Sequence, residues 1–294
     1  MSWTQAVPPA SLRWAEGQTD ARVVAALPME SQWLANHLLV LADGRELVLR
    51  RWARPGWEAD DPDLTAAREA LVLERLAGTP VPAPELVAAD PDALECDVPA
   101  LLITRVPGAP FAGRPPLGPL VAALADIHAV DAEGIPPYRR YYEPDRLTVP
   151  PWAVDRGVWE RAIAVAHDPP PALPERFIHR DYHPGNTLWD GVALTGIVDW
   201  TTGSRGPAAV DLGHLRWNLA LDYGRRVADA VLPHPEHHPY YDVITALDVL
   251  PELDATTPHV HLRRFEEHVS RALAAPLRAS RPRQHEGRQK PPLA

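Results

Sequence analysis

Residues 179–186 read His179-Arg180-Asp181-Tyr182-His183-Pro184-Gly185-Asn186, and Asp199, within Ile197-Val198-Asp199-Trp200, lies thirteen residues beyond Asn186. Between them stand Thr187–Trp189, Asp190-Gly191 and Val192–Val198, two short apolar runs around an Asp-Gly pair. That pattern predicts a hairpin entered by a polar loop. Asn186 then starts the first strand and Asp199 ends the second, so both sit at the open end. A strict two-residue turn leaves Asp199 a few residues beyond Asn186; a looser loop is the alternative. Asp181 sits five residues before Asn186 on the incoming loop. One amide oxygen and two carboxylates therefore gather around one small volume.

Hard oxygen donors of this kind suit Mg²⁺, which keeps several waters and takes one or two protein carboxylates plus substrate phosphates. Phosphoryl transfer from ATP needs those parts, and also a carboxylate that orients the acceptor hydroxyl and takes its proton. Asp181 is placed for that task, with Asn186 and Asp199 as metal ligands. Positioning and charge neutralisation then supply most of the rate.

Working outward, His37–Ala42, Asp43-Gly44 and Arg45–Trp52 spell a second hairpin, with the Asp-Gly pair in a type I′ turn. Alternation puts Val48, Arg50 and Trp52 on one face and Leu47, Leu49 and Arg51 on the other. A helix follows, capped by Asp61, with Pro62 at its first position and Gly78 past its end. Leu64, Ala67, Leu71, Val72 and Leu76 form its apolar side, with Glu69 at the border. Ala100–Val106 reads as a buried strand closed by Pro107-Gly108. The lobe boundary is placed there, giving an N-terminal lobe over 1–106 and a C-terminal lobe over 107–279. Leu117–Val130, Trp152–His167 and Val210–Ala230 read as helices. Residues 1–35 show strand-like patches between prolines, and 280–294 lack apolar periodicity, as a disordered basic tail does.

The pattern His-x-Asp-x-x-x-x-Asn, followed by a hydrophobic pair and an aspartate, resembles the catalytic and metal segments of the aminoglycoside phosphotransferase family, which is related in fold to the protein kinases. Ala209-Val210-Asp211-Leu212-Gly213-His214 resembles that family's next segment, and weaker similarity covers most of the chain. The resemblance implies an α+β, bilobal, protein-kinase-like fold. Its N-terminal lobe is an antiparallel sheet plus a helix, its C-terminal lobe is mainly helical, and ATP lies between them. It implies ATP and Mg²⁺ as cofactors and a small-molecule hydroxyl acceptor as partner, such as an aminoglycoside or another amino sugar or amino alcohol. On this mapping Arg50 takes the place of the phosphate-binding lysine, Glu69 is its helix partner, and Val48 shares the nucleotide-facing side of the strand. Thr104 to Val106 form the hinge beside the adenine. Two departures stand out. The lysine position holds arginine, with Arg51 as the register alternative on the other face. The phosphate-covering turn falls near Met29–Asn36, which contains no glycine.

Each residue also has a plainer reading. His179 suits a structural hydrogen bond within the loop. His183 either reaches substrate or supports the turn at Pro184-Gly185. Asp211 either caps a helix or braces the loop, and Trp200 and Trp217 are candidate pocket members by proximity. His234, His237 and His238 lie in a proline-rich loop without carboxylate support, which argues against a metal site. Two other function classes compete with a kinase. One is a kinase-like binding protein with weak or no catalysis; the other is a metal-dependent hydrolase using His179, Asp181, His183 and Asp199 as ligands.

Composition narrows the field. Of 294 residues, 46% are hydrophobic and 23% charged, as in globular proteins generally, and the 35 prolines follow no period. The single cysteine, Cys96, excludes an intramolecular disulfide and a multi-cysteine zinc site. A net charge of −10 argues against nucleic-acid binding and suits a cationic small substrate. Neither a signal peptide nor an apolar run of membrane-spanning length is visible, so the expectation is a cytoplasmic protein without a membrane partner.

Overall fold

The computed structural model describes residues 6–31, 33–60, 63–254 and 256–277. The proposed tail at 280–294 and the proposed helix start at Asp61-Pro62 lie outside those residues. Helix α1 (Pro9–Thr19) opens the chain, with proline at its first position and Asp20 in a left-handed conformation closing it. It precedes strands β1 (Val23–Pro28), β2 (Ala35–Leu41) and β3 (Glu46–Arg51). A short helix α2 (Trp57–Asp60), helix α3 (Ala66–Leu76) and strands β4 (Leu86–Asp90) and β5 (Ala100–Thr104) follow. The five strands form an antiparallel sheet in the order β1-β2-β3-β5-β4.

The side-chain period of two decides what each sheet face packs on. Val48, Trp52, Leu101 and Ile103 join Val72, Leu73 and Leu76 of α3 in one apolar cluster. Leu39, Leu41, Leu47, Leu49 and Leu102 on the opposite face pack on Trp14 and Ala15 of α1. The β2–β3 turn differs from the expected type I′. That type needs positive φ at both central residues, and only Gly44 has it. Asp43 stays in ordinary space and its carboxylate accepts the Arg45 N–H at 3.0 Å. Helix α3 starts later than expected: Thr65 caps it, its hydroxyl accepting the Arg68 N–H.

The remaining chain is mainly helical: α4 (Leu117–His128), α5 (Arg156–Ala166), α6 (Ala209–Tyr223), α7 (Arg225–Asp229), α8 (Pro239–Val249) and α9 (His259–Leu273). Two small antiparallel ribbons sit among them, β6 (Glu175–Ile178) with β9 (Ser204–Pro207), and β7 (Thr187–Asp190) with β8 (Ala193–Ile197). The single helix expected over Val210–Ala230 is two. Gly224, at φ +87°, donates to Ala220 O and ends α6 in a conformation other residues resist. No helix among the described residues is long and apolar enough to cross a membrane.

Helix α3 ties the two lobes together. A Cβ on Gly203 would lie 2.7 Å from Val72 Cγ1, so only glycine allows this approach. Arg68 donates to Gly203 O at 3.2 Å and to Ser204 Oγ at 2.8 Å, and Ile197 N–H donates to Pro82 O at 2.8 Å. These contacts hold Glu69 of α3 over the end of the β7–β8 ribbon.

Candidate active site

The polar loop leaves β6 at Ile178 and enters β7 at Thr187, and its backbone is held from three directions. Asp211, fully buried on the first turn of α6, accepts the N–H groups of His179 (3.0 Å) and Arg180 (2.6 Å). His128 adds a third bond to the same carboxylate. Thr202 Oγ1 donates to His179 O, and the His179 ring bridges Val198 O (Nε2, 3.0 Å) and the Asp181 N–H (Nδ1, 3.3 Å). That leaves His179 donating through Nε2 and accepting at Nδ1. Arg180 takes φ +73°, a strained conformation that the two Asp211 bonds offset.

The ribbon then aligns the oxygens. Gly191, at φ +58°, makes a tight turn with Val192, and a register slip between Leu188 and Trp189 takes up the surplus length. Val198 N–H donates to Asn186 O at 2.9 Å, which brings Asp199 alongside Asn186. The tight turn and the bulge together do what a looser loop was expected to do. Asn186 Nδ2 donates to both Asp181 O (3.0 Å) and Asp181 Oδ2 (2.9 Å). His214 Nε2 stands 2.8 Å from the other carboxylate oxygen, Oδ1, and His183 Nε2 lies 3.8 Å from it.

Across the cleft, Arg50 of β3 is almost fully buried. Its Nε donates to Glu69 Oε2 at 3.0 Å and its Nη2 to Asp199 Oδ1 at 2.8 Å and Thr201 Oγ1 at 3.0 Å. Arg51 points away, to Asp97 beneath α1, so the strand register selects Arg50. Asp199 sits in the left-handed region (φ 64°, ψ 64°), which aims its side chain back at Arg50.

A cavity of about 620 Å³ opens between these groups. Its lining includes Arg50, Asn36 and Asp199, Asp181, His183 and His214, and also Tyr141, Trp217, Asp248 and Glu252. Burial alone would raise the Asp181 pKa, but the charge of His183 and the His214 hydrogen bond override it and hold Asp181 well below the usual carboxylate range. Burial pushes Glu69 up to about 7 against the pull of Arg50. Asp248 is pushed up to about 6, again by burial, with Arg180 and His214 opposing.

A sequence model of the phosphotransferase enzyme family matches residues 26–257. The chain belongs to that family. Its fold agrees with solved members of similar architecture. Macrolide 2′-phosphotransferase MphH from Brachybacterium faecium is 19% identical, with a TM-score of 0.56 over 92% of this chain and 99% of that one. A thermostable aminoglycoside phosphotransferase APH(4)-Ia in ternary complex with ADP and hygromycin B is 14% identical, with a TM-score of 0.61 over 91% and 100%. The same enzyme with AMP-PNP and hygromycin B gives 15% and 0.57 over 90% and 99%. No curated sequence relative matches the chain.

Within this phosphotransferase Arg50, Asp181, His183, Asp199 and Trp217 line one cleft, Glu69 and Asn186 stand next to it bonded to Arg50 and Asp181, and His179 and Asp211 lie behind the loop. Trp200 is elsewhere. It is fully buried, its ring 4.3 Å from that of His179 and its Nε1 donating to Ile197 O, so it backs His179 and faces no substrate. Val48 is packed in the core under α3. Thr104 spends its N–H on Glu85 O and its hydroxyl on the Glu85 N–H, and Val106 packs on Gly196. None of these three lines the cavity. Both His179 nitrogens are engaged, which leaves no ligand there for a hydrolytic metal. Among the described residues no cluster of three or more His, Cys, Asp or Glu side chains is arranged to hold one. His237 instead bonds Asp242 and Arg216, while His238 caps α8. Sequence reading reached Asn36 only as the end of the phosphate-covering turn, and it missed Thr201, Asp248 and His214. Only the last carried a signal, as the final residue of Ala209–His214.

Proposed function

We propose that the protein transfers the γ-phosphoryl group of ATP to a hydroxyl of a small, amine-bearing molecule, with Asp181 orienting that hydroxyl and receiving its proton. The observation that carries this reading is convergence: Asp181, Asp199 and Arg50 open on one cavity that Asp248 and Glu252 also line. Arg50 supplies the positive charge for phosphate oxygens, and its planar fork reaches two groups at once. Asp181, with its low basicity, holds the acceptor O–H in line and takes the proton as the new P–O bond forms, as a loose transition state requires.

The donors fit Mg²⁺. Asn186 spends its Nδ2 on Asp181, and among the described residues nothing donates to its Oδ1. Asp199 gives Oδ1 to Arg50 and Thr201 and keeps Oδ2. Two such oxygens beside phosphates are what this ion uses, and when bound it neutralises phosphate charge. The acceptor wall favours an ammonium: Asp248 has Oδ1 on the Tyr141 N–H, and Glu252 lies beside the same opening. The Tyr141 ring already carries the Arg180 guanidinium on one face, so the charge for an ammonium comes from the carboxylates. A cytoplasmic setting and a lobe division at residue 106 go with this proposal.

One observation favours a different reading, a kinase-like binding protein with little catalysis. Arg50 already occupies Asp199 Oδ1, and the turn before β2 lacks glycine. An ADP-release screen over amino-sugar and amino-alcohol acceptors separates the two. The expected result is turnover that Asp181→Asn lowers by roughly 10²–10⁴-fold with the melting temperature kept. Full activity in that variant removes Asp181 from the chemistry. ATP binding without turnover across the panel favours the binding protein.

A further inference from the structure

Helix α6 presents Asp211 and His214 three residues apart, and so on one face. Asp211 holds the backbone of the loop at His179 and Arg180. His214 reaches past it to the Asp181 side chain, Nε2 to Oδ1 at 2.8 Å, while Asn186 holds Oδ2 at 2.9 Å. The His214 side chain is only 7% exposed. It is fixed edge-on to Trp217, ring centroids 4.8 Å apart, and Trp217 is fixed in turn against Phe265 of α9. Gly213 sets the depth of the helix. A Cβ there would lie 2.6 Å from Tyr241 O of α8, so any larger residue would displace α6 and His214 with it.

We propose that His214 is a positioning residue of this site, locking the Asp181 carboxylate in the orientation that faces the acceptor hydroxyl. The inference rests on Asp181 being the group that meets that hydroxyl. A carboxylate is free to swing about its terminal bond. Donors on both oxygens, Asn186 on one and His214 on the other, remove that freedom before substrate arrives. An ionised carboxylate only accepts, so the proton of this bond sits on His214 Nε2. The role is therefore preorganisation, which acts on kcat and leaves substrate affinity alone.

The test compares His214→Leu, His214→Asn and His214→Gln in the full chain. A hydrogen bond to a charged group predicts a kcat loss of about ten- to a hundredfold for the leucine variant, with KM unchanged. Glutamine, whose amide N–H reaches nearly as far as Nε2, is expected to restore kcat to within about fivefold, and the shorter asparagine is not. Placed in an Asp181→Asn background, His214→Leu adds almost nothing, because the two act as one unit. Should leucine misfold, the asparagine–glutamine pair carries the same comparison in folded protein. Wild-type kcat in folded leucine or asparagine variants, or a loss that glutamine leaves untouched, overturns the proposal. Ring ¹⁵N spectra give a readout free of turnover: His214 is expected protonated at Nε2 and shifted by Asp181→Asn. An unshifted ring overturns the contact itself, whereas absent wild-type turnover with a shifted ring counts against the kinase reading instead.

Discussion

On the C-terminal side of the cleft, the groups bonded to Asp181 itself all lie between residues 179 and 214, and its loop is anchored further off as well, through Arg180 to Arg139 O and Tyr182 to Leu120 O. On the N-terminal side, Arg50 is held by a single fan of bonds to Glu69, 19 residues away, and to Asp199, 149 residues away. The first arrangement is redundant and, at Asp181 itself, local. The second is one side chain joining two lobes, so its loss is felt in folding and in chemistry together. Removing one partner of a buried ion pair leaves the other charge without a counter-ion.

Arg50→Ala is therefore the severest way to break the contrast. Glu69, 1% exposed, loses its cation, and Asp199 Oδ1 keeps only the Thr201 hydroxyl. The expected cost is about 3–5 kcal/mol in stability, seen in chemical denaturation, with turnover lost alongside it. Arg50→Lys sharpens the point. One ammonium keeps the charge but lacks the fork that serves Glu69 and Asp199 together. Stability is expected to recover most of the way while kcat stays about tenfold down. Equal rescue of both would mean that charge alone matters at this position.

Next in size is Asp211→Asn on the local side. The carboxylate accepts the Arg180 N–H at Oδ1 and the His179 N–H at Oδ2, where His128 Nε2 also bonds. An amide keeps one oxygen and turns an NH₂ toward the other donor, at a cost of about 1–3 kcal/mol for the unsatisfied buried group. Urea unfolding checks this. The same variant is expected to lower kcat less than Arg50→Ala does, because Thr202 and the His179 ring still hold the loop. A larger loss would show that the redundancy is only apparent.

This contrast also explains what was legible in the chain. The Asp181, Asn186 and Asp199 set could be read because a hairpin brings together residues that spacing already relates. The β2–β3 hairpin and β5 were legible for the same reason, since alternation is a local property. Residues 1–35, read as strand-like patches, hid α1, whose apolar side faces a sheet not yet formed in sequence terms; β1, which ends at Pro28, fits that reading. Trp200 was misplaced because adjacency to Asp199 says nothing about which way a side chain turns; the 3-10 turn after Asp199 buries it. Asp248 and Tyr141, 107 residues apart, meet only through the packing of α8, and no periodicity encodes that contact.

Asp248 yields the smallest effect, and one of opposite sign. Its folded pKa, about 6, stands above the ordinary value of 3.8 because burial penalises the anion. The native state thus binds its proton more tightly than the unfolded chain does. Whatever stability the group gives is present below pH 4 and is lost as pH rises through 6. Asp248→Asn keeps an oxygen for the Tyr141 N–H and never ionises, so it is expected to stabilise the protein at pH 7 by about 2 kcal/mol, a gain that shrinks toward pH 4. Thermal melts at the two pH values measure it. The same ionisation governs an ammonium acceptor: wild-type KM should fall between pH 5 and pH 7 as the carboxylate forms, while the asparagine variant stays flat and weaker by about tenfold or more. A site that stabilises the fold when neutralised and binds its ligand only when charged has given up stability for recognition, and matching pH curves from melting and from KM would locate that exchange at Asp248. Should KM stay level in the wild type while the melts respond, the acid is a cost of the fold alone and the ammonium must be sought at Glu252.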